Sequence, residues 1–337
     1  MTVLAEQAGV RSRTAALSGA LAVTFLLFAL HVAVGSKTLS PATLLEAIFS
    51  PDEKAFEHMI VWQLRLPRAL TAMSVGAALS VAGALMQGVT RNPLADPGLL
   101  GLMAGASFAV VMASQFLGVT AYSAIPFIAV IGALGAALIV GLIALWVPGG
   151  TSPLTLTLTG AVISAFLGAL IAIAHLLDEE SFDSLRIWLS GSLSGRDLDI
   201  FAMTAPWIGA GLVASVLLAR QVTALAMGDD VAKGLGVRTG WLKLQLLLTV
   251  VVLTAGAVAL AGPLGFVGLV IPHAVRLFVG SDYRWIVPYS MVLGAAYLLV
   301  VDIIARTAIA PREISTGIIT AMVGAPVFIQ LVRMKAR

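Results

Sequence analysis

Long apolar runs separated by short polar stretches dominate the pattern along the chain. Each run has about the 20 residues that a helix needs to cross the hydrocarbon core of a bilayer. The runs are rich in Ala, Leu and Gly and lack the period-two alternation of membrane strands. The pattern predicts an all-α, polytopic membrane protein with a single transmembrane domain. We place ten spans at approximately residues 15–34, 66–89, 97–117, 124–147, 154–177, 200–219, 240–261, 266–279, 285–305 and 314–333.

Two of these assignments have an alternative. The first run follows Arg11 and Arg13, as the core of a signal peptide would, but it is longer than the roughly 7–15 residues of such a core. The run from Leu244 to Ile271 is uncharged and exceeds one span. It contains the sequence Gly-Pro-Leu-Gly at 262–265, which predicts two helices joined by a tight reversal.

The composition excludes several classes of protein. Of the 337 residues, 59% are hydrophobic and 11% are charged, none is cysteine, and the mean hydropathy is +1.02. A soluble globular chain carries roughly 25% charged residues. The composition therefore argues against a soluble enzyme, a disordered chain and a disulfide-stapled secreted domain.

The distribution of basic residues predicts the orientation. With ten spans both termini lie on one side, and most of the 20 lysines and arginines fall there, including Arg91, Lys233 and Arg333. Because cytoplasmic loops carry the excess of Lys and Arg, we expect both termini in the cytoplasm. The bias disappears if the break at 262–265 is ignored, which favours ten spans.

The sequence offers no catalytic or cofactor-binding constellation. It has no Gly-x-x-x-x-Gly-Lys-Ser/Thr phosphate loop and no Cys/His cluster with metal-ligand spacing. The histidines His31, His58, His175 and His273 are scattered and are expected to be satisfied residues at helix ends or in loops. We therefore predict a non-enzymatic chain without a resident metal or cofactor, and one that binds lipid and not nucleic acid.

Asp302 is the only carboxylate near the middle of a predicted span, and it lies towards the external end. Ion-coupled secondary transporters use intramembrane carboxylates or histidines for the coupling ion. The scarcity of such groups favours an energy source in another protein. An ion-coupled secondary transporter is the alternative from a different class.

The cytoplasmic segment 224–237, between the sixth and seventh spans, is predicted to form a short amphipathic helix. The acidic pair at 229–230 favours a helix N-terminus, Gly228 breaks the chain before it, and Gly234 or Gly236 can cap its end. Apolar residues spaced i, i+4 give it one apolar face. The pattern alone fits a plain connector as well as a contact for a cytoplasmic motor protein.

Three arginines lie at the predicted external mouth, against the prevailing charge bias. Arg65 and Arg68 flank the start of the second span, and Arg306 closes the ninth. They are either interfacial side chains that reach towards water or cations that pair with acidic residues of a docking partner, because the arginine fork suits carboxylates.

Short motifs stand along the chain in a characteristic order. They are Arg65-Leu66-Pro67-Arg68, Gly83-Ala84-Leu85-Met86-Gln87, RNPLADPGLLG at 91–101, Gly228-Asp229-Asp230 to Leu235-Gly236-Val237, GFVGLVIPH at 265–273, GSDYR at 280–284, DIIAR at 302–306 and GAPVF at 324–328. This combination resembles the FecCD-type permease subunits of ABC importers, which take up iron-siderophores, haem and cobalamin. It covers the chain from about Leu39 onward. Residues 312–315 depart from the family's more usual Glu-Leu-Pro-type stretch.

The resemblance implies the type II ABC importer permease architecture. A second permease subunit, identical or paralogous, would complete a central pathway, and a periplasmic or lipid-anchored substrate-binding protein would dock above it. Two cytoplasmic ATPase subunits, which bind ATP and Mg, would sit below. Arg65, Arg68 and Arg306 match the family positions that meet glutamates of the binding protein.

By the same resemblance, segment 224–237 is the coupling helix that seats in the ATPase, and we call it the coupling segment. Its expected contact residues are Leu225, Gly228, Asp229, Asp230, Val231, Lys233, Leu235 and Gly236.

The expected function is transport of an iron-siderophore complex across the bacterial cytoplasmic (inner) membrane by alternating access. Haem and cobalamin are the alternative cargoes. We expect the small, uncharged residues of the second, fifth and tenth spans to form the wall of the pathway, since a large chelate needs a wide and weakly binding route.

Overall fold

The protein is helical throughout the part that the structure describes. The structure is a computed structural model, and it describes residues 2–35, 39–52, 54–119, 124–147, 152–178, 185–195 and 198–335. Within these ranges it contains helices and no strand, as the sequence predicts. The helices are α1 Thr2–Ala33, α2 Pro41–Phe49, α3 Phe56–Met59, α4 Leu66–Thr90, α5 Leu102–Leu117, α6 Ile125–Trp146, α7 Pro153–Leu177, α8 Leu198–Ala226, α9 Asp229–Gly234, α10 Thr239–Ala261, α11 Val267–Val279, α12 Tyr283–Thr307 and α13 Thr316–Lys335.

The apolar helices coincide with the predicted spans. Among the described residues, 7 helices are long and apolar enough to cross a membrane, and α5, α11 and most of α13 form shorter apolar helices. Each predicted span falls on one of these helices. The all-helical, multi-pass membrane class is therefore confirmed, while the number of helices that cross the bilayer stays a prediction.

The second span begins with an irregular turn. Residues Ile60–Arg65 form a π-helical turn in which the N–H of Leu66 donates to the carbonyl of Val61. Pro67 follows in the first turn of α4 and has no N–H to continue the ordinary ladder. The turn joins α3 to α4 without a gap.

The predicted reversal between the seventh and eighth spans is present. α10 ends at Ala261 and α11 begins at Val267. Gly262 has a φ of 73°, and Phe266, the residue before α11, has a φ of 69°. The left-handed backbone at Gly262 is the conformation that glycine adopts most readily, which explains why the chain turns there.

α4 is the central helix of the bundle. It packs against α8, α10, α11 and α12, and nearly all of its residues from Pro67 to Thr90 are buried. A Cβ on Gly76 would collide with the carbonyl of Gly294 in α12, and one on Gly83 would collide with the carbonyl of Gly268 in α11. The small residues of the second span thus serve close helix packing. The expectation that this span lines the pathway is wrong, because α4 lies inside the subunit.

The first apolar run is an integral helix of the fold. α1 packs along α12, where Arg13 lies 6.0 Å from the centre of the Trp285 ring and the Tyr289 hydroxyl donates to the Arg13 carbonyl at 2.7 Å. Arg68 lies in the first turn of α4 and Arg91 directly follows its last residue, so we name the two ends of the bundle the Arg68 end and the Arg91 end. α1 starts and α13 finishes at the Arg91 end.

Candidate functional site

Asp302 lies at the centre of a buried cluster at the Arg68 end. Its side chain has no solvent exposure. One carboxylate oxygen accepts from Arg68 Nε at 2.8 Å and lies 2.9 Å from His31 Nε2. The other accepts from Arg68 Nη2 at 3.1 Å and from the Thr316 hydroxyl at 2.8 Å. A single carboxylate therefore joins α1, α4, α12 and α13. The group formed by His31, Arg68, Asp302, Arg306, Glu313 and Thr316 is called the Asp302 cluster.

Arg65 and Arg306 hold the end of α1. Arg65 Nη1 donates to the carbonyls of Val32 and Ala33 at 2.8 and 2.6 Å. Arg306 Nη2 donates to the carbonyl of His31 at 2.9 Å, and its Nε lies 3.4 Å from Asp302. The last carbonyls of a helix have no partner within it and carry a partial negative charge. Two guanidinium groups supply these partners at the end of α1.

The structure brings the three predicted docking arginines together around one cavity. Arg65, Arg68 and Arg306 line a cavity of about 280 Å³, together with Glu313. Arg68 Nη1 donates to Glu313 at 2.8 Å, and the Glu313 side chain is 37% exposed. All three arginines are buried, so the interpretation as side chains that snorkel to water is wrong. Pairing with a partner protein stays a prediction.

Sequence reasoning missed most of the Asp302 cluster. The spacing of Asp302 and Arg306, four residues apart on one helix, was a usable signal for an ion pair. No local signal identified His31, which lies 271 residues from Asp302 along the chain. The sequence predicted the three arginines at this end of the bundle, but not the ion pairs that they form within the chain.

The coupling segment contains a shorter helix than predicted. α8 continues through Ala226, and α9 covers only Asp229–Gly234. Gly228 has a φ of 128° and separates the two helices. Gly236 has a φ of 81° and donates to the Lys233 carbonyl, while the next N–H donates to Ala232. These two bonds form a Schellman motif, which ends the helix there.

The coupling segment presents one apolar face outward. Met227 and Leu235 are each 67% exposed and Val231 is 44% exposed. Leu225 and Ala232 are buried and hold the segment against the bundle. Leu225 was expected among the residues that contact the ATPase, and the structure instead places it in the core.

The two acidic residues at the start of α9 have different surroundings. Asp229 accepts from Arg91 Nη2 at 3.1 Å and from Lys243 Nζ. The hydrogen bond from Lys243, with the nearby Arg91 charge, holds the pKa of Asp229 below its usual value. The Asp230 side chain is fully exposed and forms an ion pair with Lys233 at 3.9 Å. The prediction that both carboxylates begin a helix is confirmed.

A second polar network anchors the Arg91 end of α4. Arg276 in α11 donates to the Gln87 side-chain oxygen and to the Tyr283 hydroxyl, the latter at 2.7 Å. Gln87 in turn donates to the carbonyl of Gly268 at 3.2 Å. The last turn of α4 is thus tied to α11 and α12.

Two of the histidines are bonded to other parts of the chain, but among the described residues the buried Nδ1 of His31 has no hydrogen-bond partner. His58 Nδ1 accepts from the backbone N–H of Asp52 at 3.0 Å, and His31 contacts Asp302. Among the described residues, no group of three or more His, Cys, Asp or Glu side chains is placed to hold a metal ion.

Known proteins resemble this chain over most of its length. It is 44% identical over 281 residues to the probable siderophore transport system permease protein YfiZ of Bacillus subtilis, covering 83% of this chain and 84% of that protein. It is 41% identical over 327 residues to the ferric enterobactin transport system permease protein FepD of Escherichia coli, covering 97% of each chain.

The fold also matches a solved structure. One chain of a metal-chelate type ABC transporter, solved in an inward-facing conformation, superposes with a TM-score of 0.84 at 29% identity, covering 95% of this chain and 99% of the other. The family model described as the FecCD transport family matches residues 22–334. The protein is therefore a member of the FecCD transport family and has the architecture of an ABC transporter permease subunit.

Proposed function

We propose that this permease moves ferric siderophores through the bacterial cytoplasmic membrane by alternating access. The observation that carries this proposal is the family match over residues 22–334, together with two relatives whose names specify siderophore and ferric enterobactin transport. A second permease subunit, identical or paralogous, completes the pathway between the two subunits.

The Arg91 end faces the cytoplasm in this proposal, and both termini lie there. Two ABC ATPase subunits bind ATP and Mg, and each permease subunit seats its coupling segment on one of them. The exposed apolar face at Met227, Val231 and Leu235 supports this role, because exposed apolar residues on a short cytoplasmic helix are a contact surface for a protein partner.

The Arg68 end faces the exterior and receives a periplasmic or lipid-anchored substrate-binding protein. An acidic side chain of that protein enters the cavity lined by Arg65, Arg68 and Arg306. Guanidinium groups that already line one cavity are well placed for charge-assisted hydrogen bonds to a carboxylate. Glu313 occupies one edge of that cavity and pairs with Arg68.

The Asp302 cluster argues against an ion-coupled mechanism. Asp302 is bound by Arg68 on both oxygens and by Thr316, and it is fully buried. A coupling ion must bind to an accessible carboxylate and be released from it in each transport cycle. Asp302 has no such freedom, which supports an external source of energy.

Reconstitution tests the proposal. The permease is purified together with its partner ATPase, binding-protein and second permease subunits and placed in proteoliposomes. We expect uptake of ferric hydroxamate or ferric catecholate chelates only with ATP and the loaded binding protein, abolished by vanadate and insensitive to an uncoupler. Uptake by the permease alone, or loss of uptake with the uncoupler, contradicts the proposed mechanism. Uptake of hemin or cobalamin in place of the ferric chelates contradicts the proposed substrate.

A matched pair of variants tests docking at the cavity. Arg65→Gln removes a cavity cation that pairs with backbone carbonyls and leaves Asp302 its own partners. Arg312→Gln removes an exposed arginine at the same end, outside the cavity lining. We expect the first to weaken binding of the loaded binding protein roughly tenfold, as loss of a charged hydrogen bond does, and the second to leave it unchanged. Equal affinities for both variants contradict docking at this cavity.

A further inference from the structure

Asp229 ties three elements together at the Arg91 end. It is the first residue of α9. One oxygen accepts from Arg91, which directly follows α4, and the other accepts from Lys243 in the second turn of α10. The coupling segment is thus bonded through one carboxylate to the central helix and to the following span.

A glycine in a conformation that other residues rarely adopt flanks α9 on each side. Gly228 and Gly236 both have positive φ values, of 128° and 81°. Among the described residues, no atom lies within 4 Å of a Cβ built on Gly236, and a Cβ built on Gly228 is approached within 4 Å by one atom, Arg91 Nη1, at 3.9 Å. Because the two flanking glycines are loosely packed, the position of α9 depends on its side-chain contacts. These contacts are the buried Ala232 and the ion pairs of Asp229.

The exposure of these ion pairs suits a contact that tightens on assembly. The side chains of Asp229 and Lys243 are 29% and 28% exposed, and that of Arg91 is 43% exposed. A protein seated on the adjoining face of Met227, Val231 and Leu235 removes water from around them. Removal of water strengthens the attraction between opposite charges.

α4 is suited to carry a displacement away from this point. It is 25 residues long, or about 37 Å at 1.5 Å per residue, and close glycine contacts fix it against α11 and α12. Its far end carries Arg68 in the cavity of the Arg68 end. A push on α9 that is transmitted to Arg91 therefore acts on the helix that reaches the docking cavity.

We propose that Asp229 is a positioning residue that clamps the coupling segment to α4 and α10, so that force applied to the exposed face of the segment moves the central helix. Asp230, one residue on, points to solvent and has no part in the clamp. This proposal rests on the proposed function, because it assumes that an ATPase subunit seats on the coupling segment.

The test measures solute moved per ATP hydrolysed by the assembled transporter in proteoliposomes, using a ferric chelate that the wild type transports. Asp229→Asn removes both ion pairs and is expected to lower this ratio roughly fivefold or more, with ATPase subunits still bound and hydrolysing ATP. Asp229→Glu keeps the charge and should restore most of the ratio. Arg220→Gln removes an exposed arginine of α8 near the same end and is expected to behave as wild type.

A double-mutant cycle separates the clamp from a general structural defect. Arg91→Gln should lower the ratio less than Asp229→Asn, because Lys243 remains, and the double variant should match Asp229→Asn, since the pair acts as one unit. A normal ratio in Asp229→Asn, or a further fall in the double variant, overturns the proposal. If Asp229→Asn does not assemble, the same ratio is measured for Arg91→Gln and Arg91→Lys. A ratio that falls in Arg91→Gln and is restored in Arg91→Lys supports the clamp, and a normal ratio in Arg91→Gln overturns it.

One more variant distinguishes failure of the clamp from failure of the proposed function. Changing Val231 and Leu235 together to Asp places charges on the exposed face and should prevent the ATPase subunits from binding. If this variant assembles and transports normally, the proposed role of the coupling segment fails. If it is inactive while Asp229→Asn transports normally, only the clamp fails.

Discussion

A carboxylate from another helix is bound by basic side chains near each end of α4, but the two carboxylates differ in burial. At the Arg68 end, Asp302 has no exposure and is contacted by Arg68, Arg306, His31 and Thr316. At the Arg91 end, Asp229 is 29% exposed and has two cationic partners. Ion pairs between a carboxylate and basic side chains are therefore shielded from water at the Arg68 end and partly exposed to water at the Arg91 end.

The difference in burial predicts a difference in role. Breaking a buried ion pair leaves an uncompensated charge and is strongly destabilising, whereas a partly exposed pair contributes little to stability. The Asp302 cluster is thus a fixed part of the fold that shapes the docking cavity. The Asp229 pairs contribute little to the stability of the free chain, and the removal of water by a bound partner strengthens them.

Asp302→Asn should have the largest effect on stability. It leaves Arg68 and Arg306 buried without a full counter-charge, and we expect a loss of about 3–5 kcal/mol, measured as a lower thermal unfolding midpoint of the purified protein. Asp199→Asn, at an exposed position at the start of α8, is the control. Similar midpoints for the two variants contradict the structural role of the cluster.

Gly76→Val tests the helix that joins the two ends. Its side chain would collide with the carbonyl of Gly294, and overpacking of this kind costs about 1–3 kcal/mol. Gly135→Val in α6 is the matched control, because no atom of the part of the chain that the structure describes lies within 4 Å of a Cβ at that position. If both variants unfold at the same temperature, the close contact between α4 and α12 is not a source of rigidity.

Asp229→Asn should cost at most about 1 kcal/mol of stability, far less than Asp302→Asn, despite its effect on coupling. Because the pKa of Asp229 is lowered in the folded protein, its contribution is present at neutral pH and is lost as the pH falls through that lowered value. Thermal unfolding between pH 7 and strongly acidic pH checks this. A loss as large as that of Asp302→Asn erases the distinction between the ends.

Glu313→Gln should have the smallest effect on stability, about 0.5 kcal/mol or less, since its ion pair with Arg68 is partly exposed. It removes an internal competitor for Arg68, so we expect tighter binding of the loaded binding protein. Glu46→Gln, exposed on α2, is the control in the binding measurement. Weaker binding in Glu313→Gln shows instead that Glu313 itself contacts the partner.

The helices were predictable because apolar length and turn chemistry are local properties. The break at 262–265 and the glycine at 228 both mark real interruptions. The coupling helix was overestimated in length because a pattern of charge and apolar spacing does not show that the preceding helix continues to Ala226. The second span was assigned to the pathway because small residues suit a smooth wall as well as a close helix contact.

The amino-acid sequence by itself determined the membrane class, the order of the helices, the likeness to a transport family and the concentration of arginines at one mouth. Only the tertiary structure decided which groups these arginines bind and which of two adjacent aspartates faces inward. The reason is that ion pairs such as His31 with Asp302 join positions 271 residues apart. Their partners depend on how helices pack and not on any pattern within one of them.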